Sequence, residues 1–245
     1  MKAMILAAGL GSRLKPLTDT TPKALVTVGG KTLLEHTLLR LRDAGFDRIV
    51  INIHHLGDRI RDFLDANGNF GIEITISDES DYLLDTGGGI KNARVFLDGD
   101  EPFLVHNVDI FTNANLRALY DDHTAAGAMA TLLVNARQSA RQLLFDKDNR
   151  LCGWRNRETG EVKSFYPEFD PARYVEYAFG GVHVISPAIF HVMDEWTGKF
   201  SIIDFYLSVC AKNVIRAFTT DELEIIDVGN HTTLAEAEKR LKNIF

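Results

Sequence analysis

Short apolar runs alternate with helical patterns through the first half of this chain, and that alternation restricts the fold more than any other feature. The runs at 3–8, 48–53, 72–77, 103–107 and 130–134 are rich in Ile, Val, Leu and Ala and too short for helices, so they read as buried strands. Between them, apolar residues recur at three- and four-residue spacing over 33–44, 58–66, 90–96 and 115–126, as helices with one buried face require. Strand and helix in regular succession predict parallel strands joined by crossover helices. The expected fold is therefore α/β, with a Rossmann-like, mostly parallel central sheet and helices on both faces.

After Asn135 the pattern changes. Leu143-Leu144-Phe145 and Leu151-Cys152-Gly153-Trp154 flank the turn residues Asp146-Lys147-Asp148-Asn149, which predicts a small hairpin. The sheet resumes at 177–185, helices follow at 187–195 and 202–211, and a last strand at 224–228 precedes a closing helix at 232–241. With 245 residues and 45% hydrophobic content, the chain is expected to bury one core over 1–245, with 135–176 as an insertion.

A net charge of −7 argues against an extended nucleic-acid footprint, which needs many cationic contacts to phosphates. No apolar run approaches the roughly 20 residues that span a bilayer. Cys152 and Cys210 form neither a metal-ligand spacing nor a disulfide framework, and read as two small apolar side chains in a reducing compartment. The eight histidines make no ligand set; His106, His183 and His191 read as core or surface residues. The expectation is a cytoplasmic protein acting on small molecules, with neither membrane nor nucleic acid as a partner.

The first strand ends at Ala8 in the loop Gly9-Leu10-Gly11-Ser12-Arg13, and Lys23 follows ten residues later. Glycines let backbone N–H groups approach an anion, and Arg13 and Lys23 bring positive charge, so Ala8, Gly9, Gly11, Ser12, Arg13 and Lys23 suit the phosphates of a nucleotide. Neither common nucleotide motif fits. Leu14 stands where a dinucleotide fold needs its third glycine, and Arg13 follows Ser12 where a P-loop needs Lys then Ser or Thr. In open parallel sheets ligands bind at the carboxyl ends of strands, which predicts that this loop and Asn107-Val108-Asp109 share one edge.

Gly9-Leu10-Gly11-Ser12-Arg13-Leu14-Lys15-Pro16-Leu17-Thr18 followed by Thr21-Pro22-Lys23-Ala24-Leu25 resembles the signature of the sugar-1-phosphate nucleotidylyltransferases. Asp85-Thr86-Gly87-Gly88-Gly89-Ile90 resembles the family's base-binding turn, Asn107-Val108-Asp109 its first metal motif and Ile226-Asp227-Val228-Gly229 its second. Within the family the chain is most similar to the short N-acetylmuramate-1-phosphate uridylyltransferases. The resemblance implies a GT-A-like nucleotidyltransferase fold, Mg²⁺ held by Asp109 and Asp227, and Arg13 and Lys23 as catalytic cations on the triphosphate. It also implies that Thr86, Gly87, Gly88 and Asn107 bind the nucleotide, UTP being favoured. The triple glycine serves equally well as the start of a helix. Where relatives have Asn-Gly-Asp this chain has Val108, whose branched side chain bears on the sugar contacts.

The sugar side is less explicit. Gly180-Gly181 and Asp204 resemble hexose-contacting positions, and also suit strand packing and a helix terminus. Residues 135–163 carry Arg137, Arg141, Lys147, Arg150, Arg155, Arg157 and Lys163 against Asp146, Asp148, Glu158 and Glu161. This excess suits an acceptor bearing a carboxylate, with Arg155 and Arg157 meeting it, and also suits a solvated hairpin. Guanylyl, thymidylyl or cytidylyl transfer, and a silent nucleotide-sugar sensor, are the competing expectations.

Overall fold

The computed structural model describes residues 1–166 and 168–244; Pro167 and Phe245, within the expected domain span, lie outside the described residues. The main sheet consists of ten strands. In chain order they are β1 (Lys2–Leu6), β2 (Arg48–Ile53), β3 (Glu73–Asp78), β4 (Phe103–Asn107), β5 (Ala130–Asn135), β6 (Arg141–Phe145), β7 (Leu151–Asn156), β8 (Val162–Lys163), β9 (Val175–Ile185) and β10 (Ile215–Phe218). The helices that cover it are α1 (Leu33–Asp43), α2 (Gly57–Ala66), α3 (Asp85–Asn92), α4 (Leu116–Ala126), α5 (Ile202–Val209) and α6 (His231–Ile244).

Strands β3, β2, β1 and β4 are adjacent and parallel, as the alternation predicts. Side chains of a strand alternate between faces. Ala3, Ile5, Ile49, Ile51 and Leu104 accordingly join a core with Leu34 and Leu38 of α1, Ile60 of α2 and Leu119 of α4. Met4, Val50, Phe103 and Val105 face the other way and pack with Ile90 of α3 and Phe205 and Tyr206 of α5. Burying each such side chain is worth roughly 1.5–3 kcal/mol, which is what holds helices to both faces. Local chemistry sets the helix ends. Thr32 caps α1 by accepting a 3.0 Å hydrogen bond from the Glu35 N–H, and α4 runs from its Asn115 cap to Gly127 at φ +59°.

Three elements differ from expectation. β5 does not lie beside β4; β9 inserts between them, antiparallel to both. The predicted hairpin forms as β6 and β7, but it is continuous with the main sheet, because β6 pairs with Val175, Glu176 and Tyr177 at the start of β9. The triple glycine belongs to α3, which starts at Asp85, and not to a turn before a helix at 90. Among the described residues no helix is long and apolar enough to cross a membrane.

Candidate active site

The carboxyl ends of β1, β2 and β4 and the segment after β3 converge on a cleft of about 390 Å³, lined by Ala8, Gly9, Gly11, Ser12, Lys23, Asn52, Glu79, Asp85, Thr86, Asn107 and Asp109, among others. Seven of the residues expected to bind nucleotide, Ala8, Gly9, Gly11, Ser12, Lys23, Thr86 and Asn107, thus line one cleft. Gly11 adopts φ +64°, and the Thr18 hydroxyl donates to its carbonyl at 2.8 Å, fixing the loop.

Asp109 and Asp227 come together through a short two-stranded sheet. Ile110–Thr112 pairs with Ile225–Asp227, Asp227 standing opposite Ile110, and the Val228 N–H donates to the Asp109 carbonyl at 2.8 Å. The Lys23 ammonium makes an ion pair with the Asp109 carboxylate. Burial raises the pKa of Asp227, and the charge of Asp109 raises it further; Lys23, Arg13 and Arg137 oppose this. Arg13 is not among the cleft-lining residues. Its guanidinium lies beside Asp227, both packed against Gly229, where a Cβ would come within 2.6 Å of Arg13 Nη2 and 2.8 Å of Asp227 Oδ1. Only glycine leaves room for that approach.

Gly87 and Gly88 are held differently from expectation. Both of their N–H groups donate to the Phe200 carbonyl, at 2.9 and 3.2 Å, so these two donors are already engaged. A Cβ on Gly87 would strike the Phe200 ring, and one on Gly88 would lie 2.6 Å from the Gly198 carbonyl oxygen. The glycines let α3 approach the 198–200 segment. Thr86 closes the same contact by accepting from the Ile202 N–H at 2.9 Å.

A second cavity of about 630 Å³ continues from the first, sharing Asp85, Thr86 and Asn107 with it. One wall is the β6–β7–β8 extension, contributing Arg141, Leu143, Trp154, Asn156 and Lys163, and the other is α5 with Ile202, Ile203, Asp204 and Leu207. Asp204 therefore lies where a sugar site was expected. Gly181 sits at the irregularity of β9 between Phe179 and His183, with φ +70°, and a Cβ there would lie 2.6 Å from Ile110 Cγ1 and 3.1 Å from Asn107 Nδ2. It packs behind the cavity rather than lining it.

Arg155 and Arg157 do not face this cavity. Trp154 and Asn156 occupy the cavity face of the strand, so alternation turns Arg155 outward, and both arginines bind Glu176, at 3.1 and 2.7 Å. Lys163 lies 5.1 Å from the Trp154 ring centroid and pairs with Asp204 at 3.5 Å and Glu161 at 3.8 Å. Arg141 has no ion-pair or side-chain hydrogen-bond partner among the described residues.

Sequence reasoning missed Asn52 and Glu79. Asn52 accepts from the Ala7 N–H at 2.7 Å and donates to Glu79 at 2.7 Å, and Glu79 accepts from the Leu84 N–H at 3.1 Å. Burial raises the pKa of Glu79. The signal was a polar residue in the otherwise apolar run Ile49-Val50-Ile51-Asn52-Ile53. Arg137, counted before only as part of a basic stretch, donates to the Phe179 carbonyl at 3.0 Å and leaves Nη1 buried without a partner among the described residues.

The model of the nucleotidyl transferase family matches residues 2–243. The chain belongs to that family. This nucleotidyl transferase is 33% identical to the N-acetylmuramate alpha-1-phosphate uridylyltransferase of Caulobacter vibrioides over 98% of the chain and 96% of the relative. It is 49% identical to the Neisseria meningitidis protein of the same name, over 49% of the chain and 52% of that relative, so this second match spans about half of each. Its fold is that of HddC from Yersinia pseudotuberculosis complexed with GMP-PN, with a TM-score of 0.75 at 24% identity, over 98% of the chain and 99% of the other.

Proposed function

We propose that this protein transfers the uridylyl group of UTP to a sugar 1-phosphate, N-acetylmuramate 1-phosphate being the acceptor, and releases pyrophosphate. The observation that carries this reading is a cleft of two chambers meeting at Asp85, Thr86 and Asn107, one walled by the glycine loop and the other by the hairpin. The Caulobacter relative, similar along nearly the whole chain, favours uridylyl and muramate among the sugar-phosphate reactions.

An oxygen of the acceptor phosphate attacks the α-phosphorus of UTP, the bond from that phosphorus to the bridging oxygen breaks, and the electron pair leaves with pyrophosphate. A phosphate monoester has a second pKa of about 6 and is an anion at neutral pH, so the attack needs no general base. Positioning and charge do the rest. The loop from Gly9 to Ser12 receives the triphosphate, and Lys23 and Arg13 balance the charge that grows on the leaving group.

Two aspartates and no softer ligand suit Mg²⁺, which is commonly held by one or two carboxylates plus substrate phosphates. The acidic pair fits such an ion: Asp227 stands beside Asp109, and their mutual repulsion calls for a cation. Among the described residues no group of three or more His, Cys, Asp or Glu side chains is arranged to hold a metal. When bound, Mg²⁺ would offset charge on the phosphates around the α-phosphorus.

Pyrophosphate release from each of four nucleoside triphosphates against a panel of sugar 1-phosphates tests the proposal. The expected result is highest kcat/KM for UTP with N-acetylmuramate 1-phosphate. Preference for another pair overturns the substrate assignment, and no release with any pair overturns the reaction.

A further inference from the structure

We propose that Arg141, with Asn156 beside it, binds the carboxylate of an acidic acceptor sugar and so sets the preference for it over neutral sugars. The inference rests on the uridylyltransferase reading above and assigns the acceptor group to named atoms. Arg141 and Asn156 are directly opposite on β6 and β7, and both line the second cavity. Opposed residues on one face have Cβ atoms about 4.5–5.5 Å apart, so both side chains can reach one carboxylate.

The charge of the other cation on this wall is already matched. Lys163 pairs with Asp204 of α5 and with Glu161, two residues before it. Arg155 and Arg157 are spent on Glu176 on the opposite face. Arg141 alone on this wall has no acidic partner among the described residues. Asn156 turns its Oδ1 to the N–H groups of Glu158 and Thr159, at 2.9 and 3.2 Å, which fixes the amide and leaves Nδ2 as a donor. A guanidinium and an amide N–H on adjacent strands form a fork matched to a carboxylate. Trp154, next on the same face, offers an apolar surface for a sugar ring, with Leu143 opposite it.

The test compares kcat/KM, at saturating UTP, for N-acetylmuramate 1-phosphate and N-acetylglucosamine 1-phosphate, which lacks the lactyl carboxylate. The wild type should prefer the acidic sugar. In Arg141→Gln the ratio should fall about ten- to a hundred-fold, as loss of one charge-assisted contact implies, through the KM of the acidic sugar and not the KM of UTP. Arg141→Lys should keep part of the preference and serves if Arg141→Gln does not fold. Arg155→Gln should keep all of it. If the wild type uses both sugars equally, the acidic-acceptor reading fails and takes this inference with it. If the wild type prefers the acidic sugar and both Arg141 variants keep the full preference, the reading stands and the Arg141 assignment falls.

Discussion

The ammonium of Lys23 rests against the carboxylate of Asp109, so one aspartate of the pair carries its own counter-charge while the other, Asp227, has Lys23, Arg13 and Arg137 nearby but no ion pair among the described residues. The two carboxylates are therefore inequivalent before any substrate arrives.

Asp109→Asn and Asp227→Asn should each lower kcat by about a hundred-fold or more, the usual cost of removing an electrostatic contact to reacting phosphates. Both variants should stay folded, because neither side chain packs a core. Steady-state pyrophosphate release at saturating Mg²⁺ checks this. Retention of more than about a third of wild-type turnover would remove that residue from the metal site.

Stripping divalent cations with EDTA should stop turnover, and added Mg²⁺ should restore it. The melting temperature should change little, since Lys23 already offsets Asp109. Undiminished turnover in EDTA would contradict the acidic pair as a metal site.

Two glycine substitutions should separate folding from function. Gly88→Ala drives a Cβ to 2.6 Å from the Gly198 carbonyl oxygen and should cost about 1–3 kcal/mol in urea denaturation. Gly9→Ala meets no atom within 4 Å and should unfold like the wild type while losing activity, because its added methyl projects from the cleft-lining loop. The reverse pattern would be inconsistent with the packing described.

Stability should fall as the pH drops below about 6.5. Burial pushes the pKa of His106 and His123 down to about 4 and that of His183 to about 3. The unfolded chain binds these protons near pH 6.5 and the folded chain only far lower, so stability is full above 6.5 and is lost on acidification towards 4. Each histidine adds a slope of up to about 1.4 kcal/mol per pH unit within that window. Urea midpoints between pH 7.5 and 4.5 measure it, and a flat profile would refute it.

The four parallel strands and helices α1, α2 and α4 were legible because their signals are local: apolar period, caps and chain reversals. The placement of β9 between β4 and β5 was not, since it pairs segments some 50–80 residues apart and no local pattern encodes it. The hairpin arginines show the same limit. Alternation groups Trp154 with Asn156 and separates them from Arg155, but which group faces the cavity depends on where α5 packs. Likewise the resemblance offered Gly87 and Gly88 as a base-binding turn and left a helix entry open, and the contact with Phe200 that draws them into a helix is not local in sequence.

The hairpin wall joins the sheet through Val175, Glu176 and Tyr177, at one end of an eleven-residue strand whose other end is locked between β4 and β5, and its turn touches β10 through an Arg150–Arg216 bridge and an Ala217 N–H bond to the Asn149 carbonyl. Such an attachment leaves the hairpin wall of the second cavity at the edge of the sheet, outside the parallel ladder that carries the first. Changes in hairpin length, or in the face it presents, alter one chamber without disturbing the ladder that carries the other. On the proposed reading, a lineage built on this frame can change its sugar while keeping its nucleotide.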